Sequence, residues 1–243
     1  MAEIKLTNVG KSFRNEGKGG WIAAVSNVSL DVADHEFITI IGPSESGKSS
    51  LLKLIVGLEE ADSGEIRIDG SPIKTSGRNR IRTGMVFRSG FLYSHMNVHR
   101  NLAFPLRLQH IPKEETERRV QDAARLLHAE DLLQKKPKEL SREQKLRIAI
   151  ARAIVGKPDV VVMDEPLVML DDQERGRLRT ELLRLRERRE LTVIYAAYDL
   201  PEAMALGDRV VSLQDGKIEW VRTPEDILKE QLEKKSTEVQ SEA

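Results

Sequence analysis

The sequence contains no cysteine among its 243 residues. This absence excludes disulfide bonds and thiol catalysis, and it fits a reducing compartment such as the cytoplasm. A net charge is also absent, because 39 basic residues balance 39 acidic ones. Charge therefore gives no electrostatic argument for binding nucleic acid or acidic lipid, and we expect no nucleic-acid partner.

Long apolar runs are absent as well. The first nine residues, MAEIKLTNV, lack the apolar stretch of a signal peptide, and no run approaches the roughly 20 residues needed to span a bilayer. We therefore expect a soluble protein that reaches a membrane only through a partner. The length suffices for one hydrophobic core, or for one core with an inserted subdomain.

What is present is a succession of short apolar strands and amphipathic helices. Residues 37–41 are almost wholly apolar, as in a strand covered on both faces, and they lead through a glycine-rich loop into a helical pattern at 49–56. Residues 160–163 form a second such strand. Alternating strands and helices favour a parallel sheet covered by helices. Further strands are predicted at 3–9, 24–32, 65–69, 191–196, 209–213 and 217–221.

The middle of the chain has a helical character instead. Segments 113–128 and 142–155 each place apolar side chains on one helical face. We predict a single domain over 1–234, in which 1–88 and 156–234 form the α/β core. Residues 89–155 form a helical subdomain, and 235–243 form a polar tail.

A glycine-rich loop carries the main functional signal. The pattern Gly42-x-x-x-x-Gly47-Lys48-Ser49 matches the phosphate-binding loop of nucleotide-binding proteins. Its glycines let successive backbone N–H groups point inward beneath the positive end of a helix. Lys48 would reach the β- and γ-phosphates, and Ser49 would ligate Mg²⁺. The alternative is a purely structural turn.

An acidic pair after the second apolar strand strengthens the nucleotide interpretation. In that position Asp164 can join the Mg²⁺ shell, and Glu165 can lie beside an attacking water as the catalytic residue. The alternative is that both acids merely precede a helix.

These motifs occur together with GMVF, LS-x-x-Q, IAIARAIV, VVVMDEP and EAMALGDRV. In this order they resemble the ATP-binding subunit of an ABC transporter, over about residues 4–227. The importer class that serves sugars, anions or sulfonates is the most similar. The resemblance implies an α/β P-loop NTPase fold of the ABC type, with a parallel-sheet core, an antiparallel β edge and an inserted helical subdomain.

In that family two subunits enclose two ATP molecules, each held by the phosphate loop of one subunit and the signature loop of the other. The resemblance thus implies a homodimer, or a heterodimer with a competent ATP-binding subunit, on the cytoplasmic face of the membrane beside transmembrane subunits. Segment 91–93 either belongs to the core or borders the groove for a membrane subunit. The implied nucleotide-binding residues are Phe13 (with Trp21 as an alternative for stacking on adenine), Gly42, Ser44, Ser46, Gly47, Lys48, Ser49 and Ser50. Ser49 and Asp164 are implied Mg²⁺ ligands, and Ser141 and Asp171 are implied at the dimer interface.

Several positions depart from the family pattern. Glu45 replaces a phosphate-loop glycine, and Arg88 replaces the glutamine that follows GMVF. Arg142 and Glu143 replace the two glycines of the signature motif, and Tyr198 replaces the histidine that contacts the γ-phosphate. The serine expected before Leu170 is missing too.

These departures predict weaker binding and impaired catalysis. Glu45 would repel a phosphate ~5 Å away by roughly 3 kcal/mol, and a positive φ would add about 1–2 kcal/mol of strain. Arg142 would add bulk and Glu143 negative charge at the opposing γ-phosphate. Arg88 cannot coordinate a metal ion. Losing a well-placed donor at residue 198 costs about 2.7–4 kcal/mol, so two such losses predict a rate lower by on the order of 10⁴. Alternatively, Arg88 is a solvated loop charge and Tyr198 a packing residue.

Two functions follow. The first is a subunit that keeps nucleotide binding in a weakened form, while hydrolysis is strongly impaired or absent. The alternative is an active transport ATPase that energises solute import, which the intact Lys48, Ser49, Asp164 and Glu165 favour. The sequence favours the impaired subunit; an ABC ATPase acting on DNA or in translation is a distant third.

Overall fold

A computed structural model describes residues 3–14, 19–73, 82–188 and 190–241. The strands are β1 (Ile4–Arg14), β2 (Trp21–Val32), β3 (Phe37–Ile41), β4 (Ser63–Ile68), β5 (Ser71–Pro72), β6 (Thr83–Val86), β7 (Val160–Asp164), β8 (Thr192–Ala196), β9 (Arg209–Gln214) and β10 (Lys217–Arg222). The helices are α1 (Lys48–Ile55), α2 (Val98–Leu108), α3 (Lys113–Leu126), α4 (Arg142–Ile154), α5 (Asp172–Glu187), α6 (Leu200–Leu206) and α7 (Pro224–Ser241).

The strands form two sheets. The larger has the order β10-β9-β3-β8-β7-β6, in which all neighbours are parallel except β10, which pairs antiparallel with β9. The smaller sheet has the order β2-β1-β4-β5 and is antiparallel throughout. A parallel core with an antiparallel β edge and packed helices is the predicted fold class, which is therefore confirmed.

The parallel sheet is buried on both faces. Along β7, Val160 and Val162 join one hydrophobic cluster with the antiparallel sheet and α1. Val161 and Met163 point the other way, into a second cluster built mainly from α2 to α6. Since successive strand residues face opposite sides, burial on both sides requires the continuous apolar run seen in the sequence.

The helices between β6 and β7 pack on one another, with contacts of α2 with α3 and α4 and of α3 with α4. They coincide with the region predicted as helical, although the domain boundaries stay a prediction. Helices α2 and α6 and strand β6 were not predicted individually. Helix α6 and strand β6 are short, and α2 contains a proline, Pro105, which is unfavourable inside a helix.

The C-terminal segment is largely helical. Helix α7 runs to Ser241, so the backbone is helical through most of the predicted tail 235–243, of which residues 242–243 lie outside the described part. Glutamate, lysine and glutamine are good helix formers, which favours this extension. Across the described residues, no helix combines the length and apolarity required to traverse a bilayer.

Candidate nucleotide-binding site

The glycine-rich loop connects β3 to α1 at the carboxyl edge of the parallel sheet. Its last glycine, Gly47, caps α1 with φ 99°. A Cβ at Gly47 would lie 2.0 Å from the Ala24 carbonyl oxygen, and one at Gly42 would lie 2.1 Å from that of Leu213. Backbone atoms of two other segments therefore lie against the loop, and they leave no room for a Cβ at residue 42 or residue 47. Only glycine fits at these two positions.

Lys48 curls back over this loop. Its Nζ donates to the carbonyl oxygens of Gly42, at 2.7 Å, and of Pro43, at 2.9 Å. The same ammonium lies 3.2 Å from Oε1 of Glu165. These contacts hold a buried positive charge at the mouth of the loop, where a phosphate would be bound.

The loop's serines differ in environment. Ser46 is buried, and its hydroxyl has no hydrogen-bond partner among the described residues. A buried hydroxyl without a partner is unfavourable, so a ligand oxygen would improve this site. Ser44 is exposed, and Ser50 is half-buried at the start of α1.

Ser49 and Asp164 meet across the sheet edge. The Ser49 hydroxyl donates to Oδ1 of Asp164 at 3.0 Å. Burial raises the pKa of the Asp164 carboxyl, while the hydrogen bond from Ser49 lowers it. A hydroxyl and a carboxylate are hard oxygen donors of the kind Mg²⁺ uses beside nucleotide phosphates, so these residues fit the predicted metal.

Glu165 is held firmly at the end of β7. Its backbone has a left-handed φ of 42°, and its N–H donates to the Ala196 carbonyl at 3.1 Å. The buried carboxylate pairs with Lys48 through Oε1 and with Arg88 Nη2 through Oε2. Arg88 is an exposed loop residue, in line with the interpretation as a solvated charge, since its side chain is 51% exposed, but its guanidinium is also paired with the candidate catalytic acid.

Glu45 adopts a backbone conformation that favours glycine. Its φ is 66°, in the left-handed region, and its side chain is exposed. The strain expected for a positive φ therefore applies. Exposure lets solvent screen the charge, which reduces the expected repulsion of phosphate.

We expect Glu45→Gly to tighten nucleotide binding and to raise the free energy of unfolding by about 1–2 kcal/mol, because it removes both the charge and the strain. Glu45→Ala is the matched control, since it removes the charge and keeps the strained Cβ. Both variants should tighten binding of a fluorescent ATP analogue, but only the glycine variant should gain stability in urea unfolding. Equal stability of the two variants would contradict the strain.

The signature segment begins α4 normally. The Ser141 hydroxyl accepts from Gln144 N at 3.1 Å, and the Gln144 side chain accepts from Ser141 N at 3.0 Å, which forms a capping box. Arg142 is exposed, whereas Glu143 is buried and paired with Arg147 one turn later. The expectation that Glu143 adds negative charge at a facing phosphate is thus corrected, because Arg147 neutralises that charge within the helix.

Tyr198 is not the packing residue of the alternative interpretation. Its side chain is 57% exposed, and the Arg175 guanidinium carbon lies 5.9 Å from its ring centroid.

Glu202, a residue that the sequence analysis did not single out, holds the segment that contains Tyr198. Its Oε1 accepts from the Tyr195 hydroxyl at 2.8 Å and from Tyr198 N at 3.4 Å. The sequence signal that could have identified Glu202 is its place as an acidic residue at the third position of a helix, after the N-cap residue Asp199.

The remaining predicted residues make no hydrogen bond or ion pair with Lys48, Ser49, Asp164 or Glu165 among the contacts of the described residues. Asp171 is exposed and caps α5, since its Oδ1 accepts from Glu174 N at 2.8 Å. Phe13 and Trp21 lie on paired strands β1 and β2 and are 37% and 73% exposed, so either ring is available for stacking. In segment 91–93, Leu92 joins the core while Phe91 is exposed.

The fold and the loop define a P-loop nucleotide-binding domain of the ABC type. A family model described as "ABC transporter" matches residues 25–168, which is more than half of the chain. The chain therefore belongs to the ABC transporter family, as one of its ATP-binding domains.

Curated relatives point the same way. The chain is 41% identical to the lactose transport ATP-binding protein LacK of Rhizobium radiobacter. The matching region of 224 residues covers 92% of this chain and 60% of the relative. It is 43% identical over 227 residues to the sn-glycerol-3-phosphate import ATP-binding protein UgpC of Rhizobium meliloti, with 93% and 64% covered. The chain thus spans somewhat less than two thirds of the length of these relatives.

A solved structure is similar in fold. The dimeric ATP-binding cassette MJ0796 bound to ADP and Pi gives a TM-score of 0.80 at 29% identity, covering 91% of this chain and 98% of the cassette.

Proposed function

We propose that this chain is the ATP-binding subunit of an ABC importer for a small solute and that it hydrolyses ATP. The observation that carries this is the convergence of four side chains: Lys48 lies 3.2 Å from Glu165, and Ser49 donates to Asp164 at 3.0 Å. A phosphate-binding cation, two candidate metal ligands and a candidate base thus share one edge of the sheet.

The relatives support import, because their names describe lactose transport and glycerol-phosphate import. They also favour the active ATPase over the impaired subunit, because each is named as the ATP-binding protein of a transport or import system. Two arguments for impairment are weakened by the side-chain positions: Glu143 is neutralised by Arg147, and Glu45 faces solvent.

Each residue has a proposed role. Lys48, the backbone of the loop and the orphan hydroxyl of Ser46 bind the phosphates, together with Gly42, Ser44, Gly47, Ser49 and Ser50. Ser49 and Asp164 hold Mg²⁺, which when bound neutralises phosphate charge. Glu165 accepts the proton of the attacking water, and Phe13 stacks on adenine.

The proposed assembly is a dimer in which Ser141 and Asp171 contact the nucleotide-binding face of a second cassette. The dimeric state named for MJ0796 supports this arrangement, with either a second copy or another ATP-binding subunit as the partner. Transmembrane subunits would hold the dimer at the cytoplasmic face. The exposed Phe91 supports their docking beside segment 91–93.

A phosphate-release assay with Glu165→Gln tests the function. We expect kcat to fall at least about tenfold, towards the 10²–10⁴ that a fully engaged general base contributes, while binding of a fluorescent ATP analogue is retained. Glu117→Gln is the matched control, because Glu117 lies on α3 and pairs with His99 away from the site. Phosphate release that is absent, or that Glu165→Gln does not slow, would contradict hydrolysis and favour the impaired subunit.

A further inference from the structure

We propose that Arg88 is a positioning residue that holds the Glu165 carboxylate away from its role as base and so keeps the rate of hydrolysis low. This inference rests on the proposed function. Its first support is that both carboxylate oxygens of Glu165 already face cations: Oε2 faces Arg88 and Oε1 faces Lys48. A general base must accept the hydrogen bond of a water, and a cation at each oxygen occupies an acceptor position that this water would otherwise use.

The contact follows from the sheet itself. Strands β6 and β7 are parallel neighbours, and Val86 is in register with Met163. Arg88 and Glu165 each lie two residues further on, at the same carboxyl edge. The parallel pairing of β6 and β7 thus places the backbones of Arg88 and Glu165 next to each other, and this proximity brings their side chains within contact distance.

The two partners differ in freedom. Glu165 is buried, and its backbone is fixed by the bond to Ala196. Arg88 is half-exposed, so its guanidinium can exchange the carboxylate for water with little rearrangement of the protein. Lys48, by contrast, is buried and bonded to two loop carbonyls. Arg88 is therefore the cation that can be released.

The same charge acts on the proposed metal site. Arg88 pairs with Glu165, which directly follows the proposed metal ligand Asp164 in the chain. While that ion pair persists, the positive charge of Arg88 disfavours a second cation at Asp164, because like charges repel. Arg88 therefore disfavours both the action of Glu165 as a base and the binding of Mg²⁺ at Asp164. The two effects can be measured independently.

The kinetic test compares four variants of the full chain: Arg88→Gln, Arg88→Met, Arg88→Lys and Arg88→Gln combined with Glu165→Gln. For Arg88→Gln we expect kcat for phosphate release to rise on the order of tenfold, because part of the 10²–10⁴-fold contribution of a general base is recovered, while KM for ATP changes little. Arg88→Lys keeps the cation and should remain slow, and the double variant should be inactive. A merely structural role of Arg88 would not separate glutamine from lysine. Arg88→Met removes the charge without supplying the amide oxygen of the family's glutamine, so it should be as fast as Arg88→Gln if the release of Glu165 is the cause.

The binding test titrates Mg²⁺ against a fluorescent ATP analogue. Arg88→Gln and Arg88→Met should both lower the half-saturating Mg²⁺ concentration several-fold, and Arg88→Lys should not. A decrease with glutamine alone would mean that its amide oxygen ligates the ion, and it would overturn the electrostatic effect of Arg88. Thermal unfolding of each variant establishes that it is folded.

The outcomes separate the two proposals. If Glu165→Gln abolishes phosphate release but Arg88→Gln behaves like the unchanged chain, Arg88 has no such role and the proposed function stands. If no variant shows Glu165-dependent release, the proposed function fails, and the role of Arg88 in hydrolysis falls with it. An unaltered Mg²⁺ titration in Arg88→Gln would overturn the electrostatic part.

Discussion

Replacing Lys48 by methionine is expected to weaken ATP binding by roughly 10- to 150-fold, since a hydrogen bond to a charged group contributes about 1.5–3 kcal/mol. Methionine keeps the length of the stem while it removes the ammonium. The ammonium is buried, bridges the two carbonyls at the start of the loop and faces Glu165. The variant would therefore lose the charge that attracts phosphate and the donor that closes the loop.

Equilibrium titration with a fluorescent ATP analogue measures this effect. Lys53→Met is the matched control, because Lys53 lies on the same helix and pairs with Glu59 outside the loop. We expect Lys53→Met to bind nucleotide like the unchanged chain. Equal binding by Lys48→Met and the unchanged chain would show that this loop is a structural turn, which is the alternative raised by the sequence.

The parts of the site that are local in sequence were predictable. The phosphate loop lies within eight consecutive residues, Gly42 to Ser49, and its context of strand, loop and helix was visible from apolar periodicity. The capping box at Ser141 was visible for the same reason. The pairing of Glu143 with Arg147 was also accessible, because residues four apart share a helix face, but the resemblance to the family pointed to the phosphate instead.

The contact between Arg88 and Glu165 was not predictable in this way. It depends on β6 being the neighbour of β7, and 77 residues separate the two partners. Strand order is a tertiary property that the alternation of apolar residues does not encode. The exposure of Tyr198 depends likewise on how α5 and α6 pack, which brings Arg175 beside its ring.

Replacing Gly47 by alanine is expected to lower the free energy of unfolding by about 2–5 kcal/mol and to abolish nucleotide binding. Strain at φ 99° accounts for about 1–2 kcal/mol of this loss, and overpacking accounts for about 1–3 kcal/mol more. The overpacking arises because the new Cβ would lie 2.0 Å from the Ala24 carbonyl oxygen. That atom belongs to the backbone of β2, so no side-chain rotation can relieve the contact.

Gly70→Ala separates the two contributions. Gly70 also has a positive φ, of 69°, but nothing lies within 4 Å of a Cβ built there. Urea unfolding should therefore show a loss of about 1–2 kcal/mol for Gly70→Ala, from strain alone, and a clearly larger loss for Gly47→Ala. If the two variants lose the same stability, the backbone of β2 does not confine the loop. Close backbone packing at the phosphate site would then not be the reason that residue 47 is a glycine.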